Sequence, residues 1–227
     1  MVLSFVISAV SAVVSAVSSI GPAVAGFCTN VLPKILPFLE KSLETLNTVG
    51  NIANIVSTVF GIFNGKDTVE DIGNRALQAA AQNITPDQFE DHADYMNKLR
   101  DFDLNPDKSK TITPIEKLER TVAGLAIAGR CLDEEFGLPE GTMGNLWLLA
   151  SIKSDYFDAD KLTKWLKTGQ DIMTIVDYFE GKLGGGEALE IEDKLVALDQ
   201  AEFPAQEEKS IRAQIYAAAD AVQQQAR

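Results

Sequence analysis

The chain has 227 residues, 46% of them hydrophobic and 7% aromatic, enough for one domain with an appendage or for two small domains. Lys+Arg 20 against Asp+Glu 33 gives a formal charge of −13, which repels a phosphate backbone and argues against nucleic acid as a partner. One His and two Cys are too few for a zinc site built from those ligands, and they tie any Ser-His or Cys-His catalysis to a single histidine.

The charge is unevenly spread. Among the first 65 residues only Lys34, Glu40, Lys41 and Glu44 are charged, and they cancel, so the whole −13 belongs to the remainder. This divides the chain into an apolar unit at 1–65, an acidic helical bundle at 66–183, and a C-terminal part at 184–227 that opens on Gly184-Gly185-Gly186. The expected fold is all-α, an N-terminal hydrophobic helical hairpin followed by an acidic multi-helix bundle. No conventional signal peptide is expected, because no Lys or Arg precedes Lys34 to supply a basic n-region.

Val2–Ile20 reads as the first helix. Its serines fall at Ser4, Ser8, Ser11, Ser15 and Ser18, a 4-3-4-3 rhythm that lays small hydroxyls along one side. Gly21-Pro22 ends it, a short piece follows over Val24–Leu32, and Pro33 and Pro37 punctuate the link to the next helix. There the rhythm returns as Asn47, Asn51, Asn54 and Thr58. A helix of 19 residues reaches about 28 Å, close to the roughly 30 Å of a bilayer's hydrocarbon core. Two environments suit such helices. In a bilayer, hydroxyl and amide stripes bond between closely packed helices; in a soluble assembly they face neighbouring protomers or a wet lumen.

The acidic half reads as a series of capped helices. Thr68 starts one with Glu70 and Asp71 in its first turn, expected to run to about Gln82. Thr85-Pro86-Asp87-Gln88 is a capping box with Pro at the first helical position, and Thr113-Pro114-Ile115-Glu116 repeats it 28 residues later. The helix after Pro114 carries the row Leu118, Val122, Leu125, Gly129, Leu132 and Phe136; Gly124 and Gly129 permit close packing, and Gly137 ends it. Shorter helices are expected over Met143–Lys153, Ala159–Lys167 and Gln170–Leu183, with Trp147, Phe157, Trp165, Tyr178 and Phe179 as core. Two more follow the glycines, over Glu187–Gln200 and Pro204–Gln224.

The most specific local pattern is Asn105–Glu116, which resembles the twelve-residue EF-hand calcium loop. On that resemblance Asn105, Asp107, Ser109 and Thr111 occupy the first four ligand positions and Glu116 the terminal bidentate one, which implies Ca²⁺ as a cofactor. Asn105 replaces the usual first Asp, and Lys110 the turn glycine. A capping box at Thr113 and Glu116 accounts for Glu116 without any metal.

His92 stands among Glu90, Asp91 and Asp94, and Cys28 and Cys131 are 103 residues apart, expected as buried free thiols. Asp155, Asp158 and Asp160 form no paired-carboxylate site with other groups, and Asp158 is better placed as a helix cap. The chain has no phosphate-binding glycine loop, no HExxH and no nucleophile elbow. The expected function is therefore non-enzymatic: a membrane-active or self-assembling protein of pore-forming, ejection or injection-apparatus type. Its hairpin would insert into lipid or line a homo-oligomer, in a membrane-associated, secreted or virion-assembly setting. The alternative is a soluble helical binding or scaffold protein with the hairpin in its core; a protein partner or chaperone covering the apolar unit is the third option.

Overall fold

The computed structural model describes residues 2–105, 112–202 and 204–225. Among them are eleven α-helices and no strand, so the fold is all-α. The chain divides into two compact units, Met1–Ser151 and Ile152–Arg227. The change in composition near residue 65 falls inside the first unit, and the three glycines at 184–186 inside the second.

The first unit is built around α6 (Pro114–Glu135), on which α1 (Val2–Ser18), α3 (Leu43–Val59), α4 (Val69–Ala80) and α5 (His92–Arg100) all pack. Its start is the expected capping box: the Thr113 hydroxyl accepts from the Glu116 amide at 3.2 Å, and the Thr113 amide donates to Glu116 Oε2 at 2.8 Å. Its end is a left-handed Gly137 (φ 60°), with the Leu138 amide bonded back to the Asp133 carbonyl at 2.7 Å. Between these ends the helix is buried nearly all round, from Leu118 to Asp133.

α4 lies on α6 backbone to backbone. A Cβ on Gly73 would stand 1.8 Å from the Arg120 carbonyl oxygen, and one on Gly124 1.8 Å from that of Val69. The pair of glycines removes the side chains that normally hold helix axes 8–10 Å apart. α4 stops at Ala80 because Asn83 takes a left-handed conformation (φ 59°) and the Ile84 amide returns to the Ala79 carbonyl at 3.0 Å.

Two sequence expectations change. The capping box at Thr85 forms, but it opens only a 3-10 turn, Pro86–Gln88. α5 starts later, where Asp91 turns extended and its carboxylate accepts from the Asp94 amide at 2.9 Å. The apolar link after Gly21 is also less broken than Pro33 and Pro37 imply. A 3-10 turn (Pro22–Val24), a π-helical turn (Phe27–Val31) and α2 (Leu32–Lys41) follow in near-continuous succession. Pro33 sits in the first turn, where no amide is needed, and Pro37 is taken inside α2. α7 (Thr142–Ile152) completes the unit.

The second unit holds α8 (Ala159–Lys167), α9 (Ile172–Phe179), α10 (Gly185–Glu202) and α11 (Glu208–Gln225). Asp158 and Asp171 cap α8 and α9. Phe157 packs edge-on to Phe179 at 4.8 Å between ring centroids, and Trp165 stacks on Phe179 at 6.3 Å. A nearly buried ion pair ties α8 to α10: Lys161 Nζ donates to Asp199 at 2.7 Å and lies 4.0 Å over the Tyr156 ring. Arg212 of α11 bonds Glu192 and Asp193 of α10. Gly185 and Gly186 form the first turn of α10, where helix amides are unsatisfied in any case.

Candidate functional site

The two polar stripes lie on the outside of the first unit. On α1, Val13 and Val17 are buried, as is Ile20 in the turn that follows, while Ser11, Ser15 and Ser18 are exposed. The side chains of Ser4 and Ser8 lie outside the described part of the structure. On α3, Asn47, Asn51 and Thr58 are exposed, and Asn54 is half-buried because its side-chain oxygen accepts from the Val69 amide at 2.6 Å. That bond serves the first residue of α4, so Asn54 joins the two helices. The stripe on α3 is bordered by three large exposed apolar side chains, Leu43 (53% exposed), Ile55 (50%) and Val59 (45%). No charge occurs between residues 45 and 65. The outer face of α3 is therefore uncharged from its second turn onward.

Pro22–Glu40 is the one stretch among the described residues that is long and apolar enough to cross a membrane, with mean hydropathy 1.3 and 39% of it buried. Its inward side chains include Val24, Phe27, Val31, Ile35, Leu36 and Leu39, each at most 4% exposed. Two features hold it. The Gly26 amide donates to Glu140 Oε1 at 2.9 Å, and Gly144 of α7 gives Phe27 and Val31 room, since a Cβ there would be 2.8 Å from Val31. Neither is legible in the sequence, because each joins residues more than 100 positions apart.

Asp133 underlies this region. It is 1% exposed, and its carboxylate accepts from the Gly141 amide at 2.7 Å and the Met143 amide at 2.8 Å. Burial pushes its pKa up to about 7, against the opposing pull of these two donors. It anchors the turn into α7 from the last turns of α6.

Of the EF-hand-like residues, Asp107, Ser109 and Thr111 lie outside the described residues. The Asn105 backbone amide donates to Gln78 Oε1 at 3.0 Å, and the Glu116 carboxylate is turned to Thr113, whose amide and hydroxyl hold its pKa below the usual carboxylate range. No group of three or more His, Cys, Asp or Glu arranged to hold a metal ion occurs among the described residues.

His92 sits between two carboxylates of α6, with Nδ1 3.3 Å from Glu134 and Nε2 3.7 Å from Glu135, and its backbone amide also donates to Glu134 at 3.2 Å. Cys28 is half-buried and Cys131 buried, both as free thiols. Burial raises both, Cys131 to about 12, so these sulfurs are protonated and weakly nucleophilic at neutral pH. No protein family, curated protein or solved structure matches this chain.

Proposed function

We propose that the protein is a non-enzymatic helical protein that self-assembles through its N-terminal region of zero net charge, while the acidic remainder keeps each protomer soluble. The observation that carries this reading is the outer face of α3. It exposes Leu43, Ile55 and Val59 beside Asn47, Asn51 and Thr58, in a chain of net charge −13. Two such chains repel each other over most of their surface, and an uncharged face is where they approach at least cost. The serine stripe of α1 adds a second uncharged outer face of small residues.

A membrane-inserting role is the second reading, favoured by the spanning length of Pro22–Glu40. Its cost is that Phe27, Val31, Ile35 and Leu39 must first leave the unit they pack into. One experiment separates the two. Sedimentation of the full chain between 50 and 500 mM salt is expected to show concentration-dependent association that strengthens with salt, as like-charge repulsion is screened. Ile55→Glu is expected to weaken it at least tenfold with an unchanged melting temperature, since Ile55 is half exposed. Flotation with liposomes and dye release by an otherwise monomeric chain, indifferent to Ile55→Glu, supports insertion instead.

A further inference from the structure

The exposed positions of α3 are symmetric about Asn51. Asn47 and Ile55 lie four positions to either side of it, Glu44 and Thr58 seven, and Leu43 and Val59 eight. A second α3 turned end for end about Asn51 therefore sets exposed positions against exposed positions along the whole helix. The two Asn51 carboxamides meet, and each has donors and an acceptor for the other. Glu44 meets Thr58 of the second copy, whose hydroxyl is a donor for a carboxylate. The same helices laid parallel would bring the two Glu44 carboxylates together, like charge against like.

The groove beside this face carries charges that select between the two arrangements. It encloses about 180 Å³ between α3 and the starts of α4 and α6, with Glu70 and Lys117 on its walls. Three contacts fix the direction of these helices. A Cβ on Gly50 would lie 3.6 Å from Thr121 of α6, Asn54 bonds the Val69 amide, and Val69 lies against Gly124. α3 and α6 therefore run the same way. Lys117, one turn before Thr121, stands at the Asn47 end of the groove, and Glu70, next to Val69, at the Asn54 end. Both side chains are half-buried, and neither forms an ion pair among the described residues. A twofold axis crossing both helices at Asn51 keeps the two grooves on one side and reverses their ends. Lys117 of each copy then lies opposite Glu70 of the other, so the pair occurs twice. In the parallel arrangement the grooves fall on opposite sides and these charges do not meet.

We propose that the occupant of the α3 face is α3 of a second copy, antiparallel about a twofold axis at Asn51 and flanked by two Lys117–Glu70 pairs. This pairing presupposes self-assembly through α3, and a twofold contact closes at two chains rather than growing into a ring or filament.

Sedimentation of full-chain variants at one fixed salt concentration, with cysteine cross-linking in a Cys28→Ser background, tests it. Glu70→Lys is expected to weaken dimerisation about fivefold or more, although it lowers the net negative charge, and Lys117→Glu to do the same. The double exchange is expected to return to within about twofold of the natural chain, which a misfolded single variant could not explain. A mixture of Glu44→Cys and Thr58→Cys chains is expected to oxidise to a mixed dimer, and neither variant alone. Equal positions stand about 21 Å apart along antiparallel helices, against the roughly 7 Å limit for a disulfide. Dimers indifferent to both charge exchanges, or Glu44→Cys chains that cross-link to themselves, would overturn the antiparallel pairing and leave self-assembly by another geometry. A chain that sediments as a monomer at every concentration and salt would overturn both.

Discussion

Asp133 places a carboxylate where water is excluded, and its raised pKa makes it a stability determinant with a definite sign. The folded state holds the proton more tightly than the unfolded chain, whose Asp titrates near its ordinary 3.8. The favourable contribution is complete below that value and is lost as pH rises toward and past about 7. It amounts to at most about 4 kcal/mol. The melting temperature of the first unit is therefore expected to rise on going from pH 8 to 5.5, and Asp133→Asn is expected to flatten that rise. Fluorescence of Trp147 in a Trp165→Phe background reports on this unit alone. The caps at Thr68, Thr113 and Asp158 were legible because cap and capped amide lie within three residues of each other. Asp133 was not, since Asp133-Glu134-Glu135 reads locally as a solvated acidic run and its partners, Gly141 and Met143, lie across a turn.

At the scale of elements, contact between α4 and α6 depends on two glycines. Gly124→Ala puts a methyl 1.8 Å from the Val69 carbonyl, which is backbone and cannot swing away, so the helices must separate. Gly129→Ala comes nearest to the Trp147 indole nitrogen at 3.2 Å, with Met143 and Gly144 at ordinary contact distance, and Gly65→Ala meets nothing within 4 Å. Thermal unfolding is expected to rank them accordingly: more than about 3 kcal/mol lost for Gly124→Ala, about 1 for Gly129→Ala, and nothing measurable for Gly65→Ala. The glycine-and-alanine row of α6 signalled a close neighbour from the sequence. Its counterpart at Gly73 did not, because one glycine in an otherwise ordinary amphipathic helix carries no periodic signal. The Thr85 capping box shows the limit of local motifs from the other side: it fixes one turn, and Asp91, a competing cap, decides where α5 begins.

For the whole molecule, helical content and the division of charge followed from composition and periodicity, whereas the division into Met1–Ser151 and Ile152–Arg227 did not. Its boundary falls at the end of α7, in a stretch with no glycine or proline to announce it. Within the second unit, the Lys161–Asp199 pair is the main electrostatic commitment, with side chains only 12% and 5% exposed. Lys161→Met is expected to cost about 3 kcal/mol by stranding the Asp199 charge, and adding Asp199→Leu is expected to recover most of it. A double-mutant cycle by urea unfolding of the second unit checks this.

The bond from Gly26 to Glu140 spans 114 positions of sequence, and the room made by Gly144 lies as far away. Synthesis runs from the N-terminus at roughly 5–20 residues per second, so the apolar stretch 22–40 leaves the ribosome roughly 5–20 seconds before Glu140 and Gly144. During that interval the nascent chain holds a membrane-length hydrophobic segment packed by its chain neighbours α1 and α3 and still without α6 and α7. The fate of each molecule is thus open to whichever comes first, its own later helices, a chaperone or a targeting factor, and slowing translation between residues 40 and 144 would shift that competition without altering a single amino acid.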